Sequence, residues 1–242
     1  MRKPFALLVC LLSLPLIGAA TALPAQELIL GWEGEESRGY GFVMPVFRFG
    51  PDGPGSSIVL RPAASYLYYS LPEPGGETDV TSPGAAIGIA YRWSGPRATF
   101  TIGPGYEFRS TKRRFASGAE TEEDETGINV QGDLFFNITP LTNLNLIASY
   151  GDANEYVWVR GGIKRQITNT DFSGPRSLIV GLEATRQGND EIETNQIGAL
   201  LEFGFPRARG SLQFRGGLSD TEFAGGASDT GPYFGIGFYK AF

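Results

Sequence analysis

The stretch Gly84-Ala85-Ala86-Ile87-Gly88-Ile89-Ala90-Tyr91-Arg92-Trp93 sets Ala85, Ile87, Ile89, Tyr91 and Trp93 against Gly84, Ala86, Gly88, Ala90 and Arg92. Successive side chains of an extended chain point to opposite sides, so this is a strand with one greasy face and one face of small or polar residues. The next run repeats the pattern: Ala98, Phe100, Ile102, Tyr106 and Phe108 oppose Arg97, Thr99, Thr101, Gly103, Gly105, Glu107 and Arg109. Further on, Ile128, Val130, Leu134, Phe136 and Ile138 oppose Asn129, Gln131, Asp133 and Asn137, with Phe135 the exception. From Glu27 onward no helical period competes with this alternation, and the chain reads as all-β.

The same test applied throughout predicts strands at 27–34, 38–49, 57–70, 83–94, 97–109, 127–138, 143–150, 155–166, 176–186, 193–205, 210–218 and 231–242. Many exceed the usual five or six residues of globular strands and suit tilted strands crossing a bilayer. A soluble β-sandwich is the competing architecture, but it has no need of greasy outer faces or of aromatics at strand ends. Phe234, Ile236, Phe238 and Phe242 recur at period two, which resembles the terminal strand of outer-membrane barrels, although Lys240 stands where those proteins usually carry an apolar residue. The expected fold is a closed antiparallel transmembrane β-barrel of about twelve strands, with ten also possible. Placing both termini in the periplasm makes the odd connections the outer ones. Leu71 to Ser82, Ser110 to Thr126, Gln187 to Ile192 and Ser219 to Thr230 are then expected as outer loops, and most acidic residues fall in this set.

Arg2 and Lys3, the apolar run Phe5 to Ile17 and Ala20-Thr21-Ala22 read together as a signal peptide over residues 1–22, with a second possible cut after Ala25. Cys10 falls inside that apolar run, so the mature barrel, 23–242, carries no cysteine and cannot be stapled by disulfides. No later stretch is apolar for long enough to cross a membrane as a helix. Without Arg2 and Lys3, 18 basic residues face 26 acidic ones. A mature net charge of about −8 speaks against nucleic acid and against anionic headgroups as attractive partners.

Histidine is absent and the one cysteine is removed, which excludes a Ser-His-Asp triad, a Cys-His pair and imidazole or thiolate metal sites. Outer-membrane phospholipases and lipid A deacylases resemble this chain in architecture but rely on a histidine it lacks. Inward carboxylate pairs remain open for glycoside chemistry, and oxygen-rich loops remain open for calcium, without any EF-hand spacing. No phosphate-binding glycine loop opens a helix. The expectation is therefore a non-enzymatic protein without cofactor. Its charged candidates are the residues that alternation turns inward: Arg61, Arg92, Arg97, Arg109, Arg160, Lys164 and Arg215 against Glu107, Asp133, Glu183 and Glu202. They are expected to pair with one another in a wet lumen where an added charge, at Ala90 for example, is tolerated. The facing of the first two strands is not decided by alternation.

The stretch Gly181-Leu182-Glu183-Ala184-Thr185-Arg186-Gln187-Gly188-Asn189-Asp190, followed by Gln196-Ile197-Gly198-Ala199, resembles a strand-loop-strand of cellulose-biosynthesis outer-membrane proteins of the BcsS type. Outside these roughly 20 residues the likeness is one of pattern. The resemblance implies an outer-membrane location, a role in biosynthesis or export of a cellulose-like exopolysaccharide, and polysaccharide or secretion-complex proteins as partners besides the surrounding lipid. It carries over no catalytic residue. The excess of inward basic residues leaves a second function open, a small diffusion channel that prefers anions.

Overall fold

The computed structural model of the protein describes residues 26–50, 53–73, 76–153, 155–168 and 177–242. The signal-peptide reading, Cys10 included, lies outside the described residues. Those described form β1 (Glu27–Gly34), β2 (Arg38–Phe49), β3 (Gly55–Glu73), β4 (Gly76–Ser94), β5 (Ala98–Arg114), β6 (Glu120–Thr139), β7 (Thr142–Gly151), β8 (Tyr156–Gln166), β9 (Ser177–Gly188), β10 (Ile192–Phe205), β11 (Gly210–Phe223) and β12 (Ser228–Ala241). Each strand pairs antiparallel with its neighbours in sequence, and β1 closes onto β12 with Glu27 opposite Ala241 and Gly34 opposite Phe234. Closure leaves no strand edge unpaired, the condition for placing a sheet in hydrocarbon.

Alternation sorts the faces. Ile87, Ile89, Tyr91 and Trp93 of β4, Phe100, Ile102, Tyr106 and Phe108 of β5, and Leu182 and Ile197 of β9 and β10 are exposed on the outer surface. Their in-between neighbours turn inward, Ala90 at 2 % exposure and Thr101 at 0 %. A belt of Ile, Leu, Val and aromatic side chains costs free energy in water and gains it in lipid, so the outer face is built for a bilayer.

The strands are longer than alternation predicts at the end away from the termini. The expected loop Leu71 to Ser82 is instead paired strand out to Glu73 opposite Gly76, and Ser110 to Thr126 stays paired to Arg114 opposite Glu120. In these extensions charged and hydroxyl side chains dominate both faces, so the greasy-polar alternation fades while the hydrogen-bond ladder continues. In β5 and β6 the register sets a basic strand on an acidic one, with Arg109 opposite Glu125 and Lys112 opposite Glu122, and Lys112 bridges to Glu120 at 2.7 Å. Opposite charges across a strand pair favour that register. Ser219 to Thr230 likewise shrinks to a turn between Phe223 and Ser228.

The interior is not uniformly wet. Val46, Val59 and Ala90 pack on one wall with Ile29 and Met44 against them. Gly103 lets β5 approach here, since a Cβ at this position would meet the Ala90 Cα at 2.3 Å. The expectation that Ala90 tolerates a charge is therefore corrected: it points inward but into packed apolar side chains.

Candidate functional site

The interior charges are held by strands whose inward positions recur at period two, so each cation sits at a fixed height and meets carboxylates from strands across the barrel. Near the end that carries the termini, Arg92 Nη1 donates to Glu27 Oε1 at 2.5 Å and its Nε donates to Thr101 Oγ1 at 3.2 Å. Arg61 of β3 reaches Asp133 of β6 at 3.4 Å, and Lys164 of β8 reaches Glu202 of β10 at 2.9 Å.

At mid-height the bridges cross the lumen. Glu33 of β1 accepts from Arg160 of β8, and from Arg215 Nη1 of β11 at 3.3 Å. Arg215 Nε lies 3.7 Å from Glu183, which also accepts from the Tyr233 hydroxyl at 3.3 Å. Thr185 Oγ1 accepts from Arg160 Nε at 3.0 Å, and the Trp158 ring carries the guanidinium 4.8 Å from its centroid. All four charged side chains of this group are largely buried, with Glu33 11 % exposed. Burying ions is costly unless each is matched, and here each guanidinium has a carboxylate and each carboxylate at least one donor.

Glu107 and Arg109 face the interior beside Asn129, Tyr40 and Tyr156. At the mouth away from the termini, Arg38 bridges Glu35 at 2.6 Å and Asp229 at 3.1 Å, while Glu191 takes Arg113 at 2.8 Å and the Tyr69 hydroxyl at 3.4 Å.

Of the candidates read from the sequence, Arg61, Arg92, Glu107, Arg109, Asp133, Arg160, Lys164, Glu183, Glu202 and Arg215 lie inside the barrel. Arg97 does not. It is exposed in the turn between β4 and β5, with its carbonyl accepting from the Asn137 amide at 2.7 Å. The chain has already turned at Gly95-Pro96, so the parity that places Glu107 and Arg109 inward stops short of it. Sequence reasoning missed Glu27, Glu33, Glu35 and Arg38, because the facing of β1 and β2 was not legible. These carboxylates remove the basic excess inferred from the later strands.

The bridges leave an interior cavity of about 520 Å³, within the range of small-molecule sites. Among the described residues no group of three His, Cys, Asp or Glu is placed to hold a metal ion.

A family model described as cellulose biosynthesis protein BcsS matches residues 47–242. No curated protein matches the chain. Among solved structures it is similar to LpxR from Salmonella typhimurium, with a TM-score of 0.50 at 12 % identity over 89 % of this chain and 100 % of that one. It is also similar to the KdgM porin in complex with disordered oligogalacturonate, with a TM-score of 0.47 at 11 % identity over 89 % of this chain and 99 % of that one. The beta domain of the Bordetella autotransporter BrkA gives a TM-score of 0.49 at 14 % identity over 89 % and 98 %. At 12 % identity the likeness to LpxR shows the β-barrel fold alone and carries no ligand across.

Proposed function

We propose, because this chain belongs to the BcsS family of cellulose biosynthesis proteins, that the mature barrel resides in the bacterial outer membrane and supports synthesis or export of a cellulose-like polysaccharide without catalysing a reaction. The lipid-facing belt supports the location. The composition supports the second half, since a chain without histidine has no imidazole to activate a nucleophile.

The observation that carries the reading is the mid-height bridge from Glu33 to Arg160 and Arg215. Side chains from β1, β8 and β11 meet across the lumen, and a passage crossed by matched ions is poorly suited to free diffusion of solutes. A barrel of this kind serves as a fixed outer-membrane element to which synthesis or secretion proteins attach, with outer-membrane lipid around it. Deleting the gene and measuring surface cellulose, with the intact gene supplied in trans, tests the role. Loss of cellulose that the intact gene restores is expected; undiminished cellulose in the deletion strain refutes it.

A further inference from the structure

Almost every charge inside the barrel is spent on another charge. Among the described residues, Glu107 and Arg109 are held in no close ion pair, although Arg109 stands opposite Glu125 across the strand pair. Glu107 is 9 % exposed, its Oε2 takes only a long 3.5 Å bond from Asn129 Nδ2, and its Oε1 has no partner among the described groups. Gly151 of β7 stands opposite, and a Cβ there would come within 2.6 Å of that oxygen, so glycine leaves the carboxylate room to project. Two residues along the same face of β5, Arg109 holds Nε and Nη1 buried and without a partner. Unmet donors and acceptors in a desolvated interior are costly, and a ligand that meets them recovers that cost.

The pair also selects the charge class of what binds. An anion satisfies Arg109 and is repelled by Glu107; a cation does the reverse. A hydroxyl both donates and accepts, so adjacent hydroxyls on one neutral molecule serve both groups. Tyr40 is 37 % exposed although it points into the barrel, and Tyr156 lines the same cavity, so ring faces lie ready for C–H surface. Polar groups that fix orientation beside aromatic walls, on one side of the 520 Å³ interior cavity, have the make-up of a small-molecule site.

We infer that the Glu107–Arg109 pair, with Asn129, Tyr40 and Tyr156, binds a neutral polyhydroxylated ligand, a short β-glucan segment, inside the barrel. The choice of a β-glucan among net-neutral ligands rests on the proposed function; net neutrality rests on the geometry alone.

The test is calorimetric titration of the folded barrel in detergent with cellopentaose and, separately, with an oligogalacturonate of equal length. Saturable binding of cellopentaose, at least tenfold tighter than the anionic sugar, supports the site. Weakening by tenfold or more in both Glu107→Gln and Arg109→Gln, with heat-modifiable gel mobility retained, also supports it. No saturable binding of cellopentaose by the unsubstituted barrel overturns the inference, as does equal or tighter binding of oligogalacturonate. Because the titration needs only the purified barrel, its outcome is independent of the deletion experiment, which tests the cellular role.

Discussion

Replacing Glu33 by alanine should be the most damaging single change to the lumen. Glu33 is the acceptor shared by Arg160 and Arg215, and these side chains are 11 %, 14 % and 13 % exposed. Removing one member of a buried ion group leaves the others charged and unmatched, which costs about 3–5 kcal/mol. Arg215 keeps Glu183 at 3.7 Å and lumen water can reach part of both guanidinium groups, so the lower end, about 3 kcal/mol, is the expected size. With a urea slope of roughly 1–3 kcal/mol per M, the midpoint should fall by about 1–3 M. Urea unfolding of the barrel in lipid vesicles, followed by the change in gel mobility on heating, reads this directly. Glu33→Gln should fall between, since an amide can accept but not balance the charge. The control is Glu193→Ala, whose partner Arg186 has a side chain 71 % exposed; no measurable shift is expected there. Equal midpoints for Glu33→Ala and Glu193→Ala would refute the reasoning and make the cross-lumen bridge a loose surface pair.

Ile89→Arg should impair membrane assembly, since an arginine near the bilayer midplane on the lipid face costs roughly 2–4 kcal/mol. Ala90→Arg should impair it as well, by forcing a guanidinium among Val46 and Val59, whereas Ser149→Lys, beside the interior cavity, should not; membrane yields of the three variants decide the facing and the packing together. In planar bilayers Glu27→Gln with Glu33→Gln should move the reversal potential toward anions, because the variant uncovers the basic residues those carboxylates match; an unchanged potential would place them off any ion path. At the hairpin tip, the hydrogen bond and charge of Lys112 hold Glu120 below the usual carboxylate range, and Glu120 holds Lys112 above the usual lysine range. The carboxylate contribution is present above its ordinary pKa and lost as pH falls through the depressed one; the lysine contribution is present below its ordinary pKa and lost as pH rises through the raised one. Lys112→Met should therefore speed amide exchange over 110–126 relative to the unsubstituted chain at neutral pH, with the difference vanishing well below the carboxylate range; a difference that persists in acid would show the pair contributes nothing to the tip.

The barrel and its faces were legible wherever one side of a strand meets lipid and the other meets polar side chains, as in β4, β5 and β6. They were illegible where that contrast fails. In β2, Phe42, Met44 and Val46 face inward while Val43, Pro45 and Phe47 take the alternate positions, so the strand is apolar at both parities and period two disappears. The same wall hid Glu27 and Glu33 on β1, and with them the charge balance of the lumen. The strand extensions were lost for the opposite reason: from Lys112 to Arg114 and from Glu120 to Asp124 both faces are polar. Unpaired atoms such as Glu107 Oε1 leave no trace in sequence at all, because their isolation depends on what eleven other strands fail to bring near them.

The seam between the first and last strands has a kinetic consequence. Glu27 and Glu33, the acceptors for Arg92, Arg160 and Arg215, ride on β1, which gains its second neighbour only when residues 234–241 arrive. Consecutive hairpins from β2 to β12 close short loops, but β1 against β12 joins the far ends of the chain, and contacts so distant in sequence form late. Substitutions at Glu27 or Glu33 should then leave the rate of barrel formation nearly unchanged and speed its opening, making the closing seam the place where the lifetime of the assembled protein is set.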